Sequence, residues 1–112
     1  MPRFKLVFFS PVKDTPRILN HLFSKYPQEV GKIGQYENCA FVSPGTGQFK
    51  PRPGASPAIG TPGLLEFVEE NRVEVVVNDR GGNEEVRNAI KELKNAHPYE
   101  EVAYEVYRLE DF

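Results

Sequence analysis

The sequence predicts an α+β domain of the ferredoxin-like plan, β-α-β-β-α-β, with a four-stranded antiparallel sheet and two helices on one face. Three observations predict it. Two apolar stripes at helical spacing stand in the chain, each with strand-like runs before and after it. Those runs are rich in Val, Phe and Tyr and follow period 2, fully or in part. The long Pro/Gly-rich stretch falls between the two middle strands, where a loop is tolerated.

The first strand covers residues 4–10, where Phe4, Leu6 and Phe8 alternate with Val7 and Phe9. Apolar side chains on both faces mark a central strand. Pro11 ends it, Thr15 offers an N-cap oxygen, and Pro16 takes the first helical position, where a missing N–H costs nothing. Ile18, Leu19, Leu22, Phe23 and Tyr26 form the stripe of this helix, and Pro27 closes it. His21 lies opposite the stripe, beside Arg17 and Lys25, and is expected in solvent.

A second strand is expected over 33–43, closed by the turn signal "PGTG", with Gln48 and Phe49 opening a return strand. Cys39 falls on that strand, on the same face as Phe41, as a small buried hydrophobe. Residues 50–63 hold four prolines and three glycines, which neither a helix nor a central strand accommodates. Residues 64–78 read as a strand with a bulge, Val73, Val75 and Val77 facing one way and Arg72, Glu74 and Asn78 the other, with a helical turn as the alternative for "LLEFVEE". Gly81 and Gly82 break the chain, and Asn83 is expected to cap the second helix. Glu84 and Glu85 sit at the positive end of its dipole, and Val86, Ala89, Ile90 and Leu93 make its buried stripe. The last strand covers 102–109. Two helices cover one sheet face only, so other copies of the chain are expected to cover the second.

The totals exclude several function classes. A chain of 112 residues suits one domain, 1–112. A formal charge of -2 and a pI near 5.7 lack the surplus Lys and Arg of a nucleic-acid footprint. No apolar run reaches the roughly 20 residues of a membrane span. The start "MPRFKLVFFS" has no small-residue cleavage site, and the single cysteine fits a reducing compartment, so a cytoplasmic setting is expected.

Candidate chemistry concentrates in two places. Lys50 and Arg52 lie in the Pro/Gly-rich loop with Gly54, where backbone amides and two cations would hold a small anion; the Walker order is absent. The second place is "HPYEE", residues 97–101. Pro98 pushes His97 out of the helical region, so the second helix ends there. As structure, His97 complements the helix dipole and Tyr99 covers the edge of the core. As function, His97 titrates near neutrality beside Glu100 at an exposed joint. A divalent metal site would draw on His97, Glu100 and Cys39. An enzyme would use His97 and Glu100 as an acid–base pair, although no activated nucleophile accompanies them. A passive module docking a protein partner would need none of these. Glu66, Glu69, Glu70 and Glu74 read as a solvated strand edge, and two histidines with one cysteine are too few for a closed zinc site.

Four segments together resemble a known family: "KIGQYENCAF", "GTGQFKPRPGASPAIG", "LLEFVEENRVEVVV" and "AHPYEEVAYEVYRL". They are similar to the insert domain of YqfO-type, or NIF-three-like, proteins. The matching positions include Ile33, Gly34, Tyr36, Cys39, Gly45, Gly47, Phe49, Pro51, Gly54, Pro57, Ile59 and Gly60. They continue through Glu66, Glu70, Arg72 and Glu74 to His97–Glu101, Ala103, Tyr104 and Val106.

The resemblance implies a CutA-like, PII-like fold that commonly assembles as trimers, hence a regulatory or ligand-binding module. Its ligand site would lie between subunits, built from the 45–63 loop of one chain and the "HPYEE" joint of the same or a neighbouring one, with Lys50, Arg52, Gly54, His97, Tyr99 and Glu100 as candidate contacts. In larger YqfO-type proteins the module interrupts a core with a dinuclear metal centre. Two histidines cannot supply that ligand set, so the chain is expected to be the insert standing alone, without the metal-dependent chemistry. "YPQEVGK" and "RGGNEE" depart from the family pattern, both in loops.

Overall fold

The computed structural model describes every residue, Met1–Phe112. The chain runs β1 (Arg3–Pro11), a 3-10 turn (Val12–Asp14), α1 (Thr15–Lys25), β2 (Phe41–Phe49), β3 (Glu66–Asn78), α2 (Glu84–Ala96) and β4 (Tyr104–Leu109). The strands lie in the order β2-β3-β1-β4, every pair antiparallel. The expected α+β plan is therefore present, with β1 central as its two-sided apolar pattern requires.

Period 2 sorts the strands into two faces. Phe4, Leu6 and Phe8 of β1 and Val73, Val75 and Val77 of β3 point to the helices, where Ile18, Leu22, Ala89 and Leu93 meet them in one buried cluster. Val30 joins that cluster and bridges to Val77. Polar contacts tie the two helices together as well. The Arg17 guanidinium donates to the carbonyl of Ala96, 2.6 Å, at the C-terminal end of α2. His21 is not a free solvated residue: its Nε2 meets Glu92 Oε1 at 2.8 Å across the α1–α2 contact. The neighbouring charged and polar face of each helix hides this pairing from a single-helix pattern.

Several elements differ from expectation, each for a local reason. The second strand does not begin at residue 33. Ile33 and Tyr36 exchange backbone hydrogen bonds in a tight reverse turn, with Gly34 and Asn38 at positive φ, and such residues interrupt a strand. The strand instead runs straight through Pro44, Gly45 and Gly47. That is allowed because β2 is an edge, where a proline needs no ladder partner. Cys39 consequently lies on the loop before β2, half-buried, with Sγ 3.7 Å from the Glu37 carbonyl. The expected bulge is absent: β3 keeps one register with β1 from Asn78 to Glu70 and one with β2 from Glu74 to Glu66.

Both helix starts also differ. Thr15 is the first helical residue of α1; its hydroxyl donates to the Pro11 carbonyl at 3.2 Å. Asn83 sits in the left-handed region without a capping side chain. Asp79 does the capping from four residues upstream. It is fully buried (0% exposed) and accepts from the N–H groups of Gly81 (2.7 Å), Asn83 (3.0 Å) and Val86 (3.0 Å). Burial works to raise its pKa, but these donors outweigh burial and hold the carboxyl below its ordinary value.

The face away from the helices is less bare than its sequence suggests. Val7, only 1% exposed, stands between Glu74 and Glu105 on the neighbouring strands. Arg72 spans this face, ion-paired with Glu74 at 3.3 Å and placed over the Phe9 ring at 5.7 Å. Large exposed apolar side chains stand along the β2–β3 pair, Phe41 (65%) and Val42 at one end of β2 and Leu64, Leu65 and Phe67 (60%) at the other. No helix is long and apolar enough to cross a membrane.

Candidate functional site

The Pro/Gly-rich segment after β2 folds back as a loop closed at its base, with the Gly63 N–H donating to the Pro51 carbonyl at 2.7 Å. Gly60 and Gly63 both adopt positive φ there, +95° and +89°, a conformation that favours glycine. Midway round the loop, the Ser56 N–H donates to Glu100 Oε1 at 2.9 Å. That bond straps the loop to the joint between α2 and β4, so the two expected candidate regions meet within one chain.

Between them lies a cleft of about 330 Å³. Phe9 from β1, Phe49 from β2 and Tyr99 from the joint give it an aromatic wall. Pro51, Pro57, Ala58 and Ile59 of the loop face them, and Lys50, Glu70, Glu100 and Glu101 supply the charge. Tyr99 is held on every side. Its ring packs between His97 (centroids 4.9 Å apart) and Phe49 (5.8 Å), and its hydroxyl donates to Glu70 Oε2 at 3.1 Å. Burial, reinforced by the Glu70 carboxylate, pushes the phenol pKa well up, so it stays protonated. Glu70 in turn lies over Gly47 of β2, where any Cβ would overlap its carboxylate.

His97 does not open on the cleft. It is 6% exposed, extended as a residue before proline must be, and both ring nitrogens are engaged. Nδ1 accepts the Tyr99 N–H at 3.1 Å, which requires the proton on Nε2; Nε2 then donates to the Phe9 carbonyl at 2.7 Å. The ring is a neutral pin joining β1 to the joint and orienting Tyr99. Burial lowers its pKa, and the Phe9 carbonyl and Glu70 only partly oppose that shift.

Of the residues expected at the site, Lys50, Tyr99 and Glu100 line the cleft. Arg52 and Gly54 are exposed on the loop and do not line it. The expected metal ligands are not gathered: Cys39 is on the loop before β2, His97 has no free nitrogen, and no group of three or more His, Cys, Asp or Glu assembles. Glu70, Phe9 and Phe49 were not foreseen as cleft residues. Their signal was register: Phe9 and Glu70 share the sheet face away from the helices, and Phe49 ends the strand beside them.

No family model matches the chain. It is 43% identical over 106 residues to a GTP cyclohydrolase 1 type 2 homolog of Halalkalibacterium halodurans, a match covering 95% of this chain and 27% of that protein. Among solved structures, a Bacillus cereus protein related to NIF3 superposes with a TM-score of 0.77 at 38% identity, covering 98% of this chain and 26% of that one. The chain thus spans about a quarter of the length of these relatives. The periplasmic divalent cation tolerance protein CutA of Archaeoglobus fulgidus matches at TM-score 0.65 and 16% identity, over 98% of this chain and 86% of that one. GlnK of Bacillus subtilis matches at 0.53 and 14%, over 97% and 86%. At that identity these two show a shared fold.

Proposed function

Since the chain is homologous, over nearly its whole length, to one segment of the GTP cyclohydrolase 1 type 2 homologs of the YqfO/NIF3 family, we propose that it is a small oligomeric, cytoplasmic ligand-binding module whose ligand enters the cleft beneath the 50–63 loop. One observation carries this: the Pro/Gly-rich loop and the "HPYEE" joint converge on the same cavity and are strapped together by the Ser56–Glu100 bond. Pockets of a few hundred Å³ with an apolar wall and a few convergent polar groups are the usual form of small-molecule sites. Tyr99, Phe49 and Glu70 would form the fixed wall. The loop residues Pro57, Ala58 and Ile59 would form the wall that ligand binding orders.

The oligomer is proposed to be a trimer, built through the apolar ribbon of β2 and the start of β3. The relatives' name gives GTP a place among the probes, and CutA's name gives divalent cations another. Titration calorimetry should therefore use the wild type and Tyr99→Ala with GTP, ATP, Zn²⁺, Cu²⁺ and small amines. Binding by the wild type, weakened at least tenfold in Tyr99→Ala while the variant keeps its circular dichroism, is the expected outcome. Absence of binding by the wild type to any probe would overturn the reading and favour a passive protein-docking module.

A further inference from the structure

Resting on the reading of this cleft as a ligand site, we infer that its ligand is a small organic cation: an ammonium or amidinium group carried on a flat or apolar body. The charge inventory points that way. Three carboxylates, Glu70, Glu100 and Glu101, line the cleft against one ammonium, Lys50. The ion pairs of the molecule are Arg17–Asp14, His21–Glu92, Arg72–Glu74 and Arg80–Glu85. None involves a cleft carboxylate, so the three are not ion-paired and Lys50 is the one cation lining the cleft with them.

Hydrogen-bonding capacity points the same way. The Tyr99 hydroxyl is spent on Glu70, and the Ser56 N–H on Glu100. Those bonds engage one oxygen each; Glu70 Oε1 packs over Gly47, and Glu100 Oε2 and the whole Glu101 carboxylate are left as acceptors. Beside the donors of Lys50 and Gln48, the cleft thus keeps charged acceptors that complement a group that only donates. Its aromatic wall adds a second attraction, because a cation over a ring face is stabilised by the ring quadrupole. One ring of that wall, Phe9, already holds a cation, Arg72 at 5.7 Å. At about 330 Å³ the cleft has room for roughly ten water-sized groups, taking about 30 Å³ for each. That admits a ring bearing a charged head. An anion would meet the carboxylates of half-buried Glu70 and exposed Glu100 and Glu101, a like-charge encounter that disfavours it.

A matched series isolates the charge: benzamidine, benzamide and benzoate share a ring and differ in the head group. Chemical-shift titration of the isotope-labelled protein at pH 7 is expected to show benzamidine binding at least tenfold more tightly than benzoate, with shifts at Phe49, Tyr99 and Glu100. Glu100→Gln and Glu101→Gln are each expected to weaken benzamidine about three- to tenfold while leaving benzamide unchanged. Glu101 makes no hydrogen bond or ion pair, so its substitution tests charge without touching the fold. Tighter binding of benzoate or ATP at the same Tyr99-dependent site would overturn the cation assignment and leave the ligand site standing. Benzamidine binding indifferent to both glutamine variants would also overturn it. If neither this series nor any other small molecule binds, both readings fall.

Discussion

A histidine beside a proline and two carboxylates reads as chemistry, yet His97 works as a hydrogen-bonded pin. Its two bonds reach Phe9, 88 residues away, and Tyr99, two residues away; the first cannot be seen in any local pattern. The consequence is measurable. His97→Ala leaves the Phe9 carbonyl and the Tyr99 N–H without partners in a buried place, at about 1–3 kcal/mol for each unsatisfied group. We expect a loss of roughly 2–4 kcal/mol in urea unfolding. The pH dependence has a definite sign. The ring is neutral in the fold and its pKa is lowered, so the unfolded chain binds a proton more readily. The stabilisation is fully present above the ordinary histidine value of 6.5 and is lost as pH falls below it through the folded value. The difference in stability between wild type and His97→Ala should therefore shrink between about pH 7 and pH 5; a difference that stays constant or grows would contradict the neutral pin. Tyr99 and Glu70 were hidden for the same reason as the pin: their meeting depends on strand register and on a loop's return path.

The elements divide by how local their cause is. The stripes of α1 and α2 and the two-sided pattern of β1 were legible because side-chain period alone decides them. β2 was not, because an edge strand tolerates the proline and glycines that elsewhere signal a turn. The start of α2 was legible in place but not in agent. Asn83 looked like the cap, while Asp79 provides it through three backbone N–H bonds. Asp79→Ala strands those donors, and charged hydrogen bonds carry about 1.5–3 kcal/mol apiece. We expect its urea midpoint to fall by an amount equivalent to about 3–5 kcal/mol with an unchanged slope, whereas Asn83→Ala should cost well under 1 kcal/mol. Equal effects of the two substitutions would return the cap to Asn83.

The whole molecule measures 46 × 25 × 25 Å with a radius of gyration of 14.9 Å; a compact chain of this length would have about 13 Å. The excess comes from the β2–β3 ribbon, which projects past the helices and exposes Phe41, Leu64, Leu65 and Phe67. Apolar side chains of this size left in solvent are what a further copy of the chain would cover. The expected oligomer is a trimer, with a light-scattering mass three times the 12.7 kDa of one chain. Phe41→Asp with Phe67→Asp should reduce it to one chain mass while the circular dichroism persists, since neither side chain belongs to the core. A wild-type protein that runs as a monomer at tens of micromolar would refute the assembly. The apolar pattern on both faces of the strands was legible in the sequence. The screening of the open face was not, because Arg72, Glu74 and Glu105 meet around Val7 only once strand register is set.

The strand order β2-β3-β1-β4 also has a history during synthesis. β1 is translated first, yet its partners end at Asn78 and Leu109. At about 5–20 residues per second, the "FKLVFF" stretch waits several seconds for its first neighbour and longer for its second. The most apolar strand of the protein is thus the one that stays longest without hydrogen-bonded company on the ribosome.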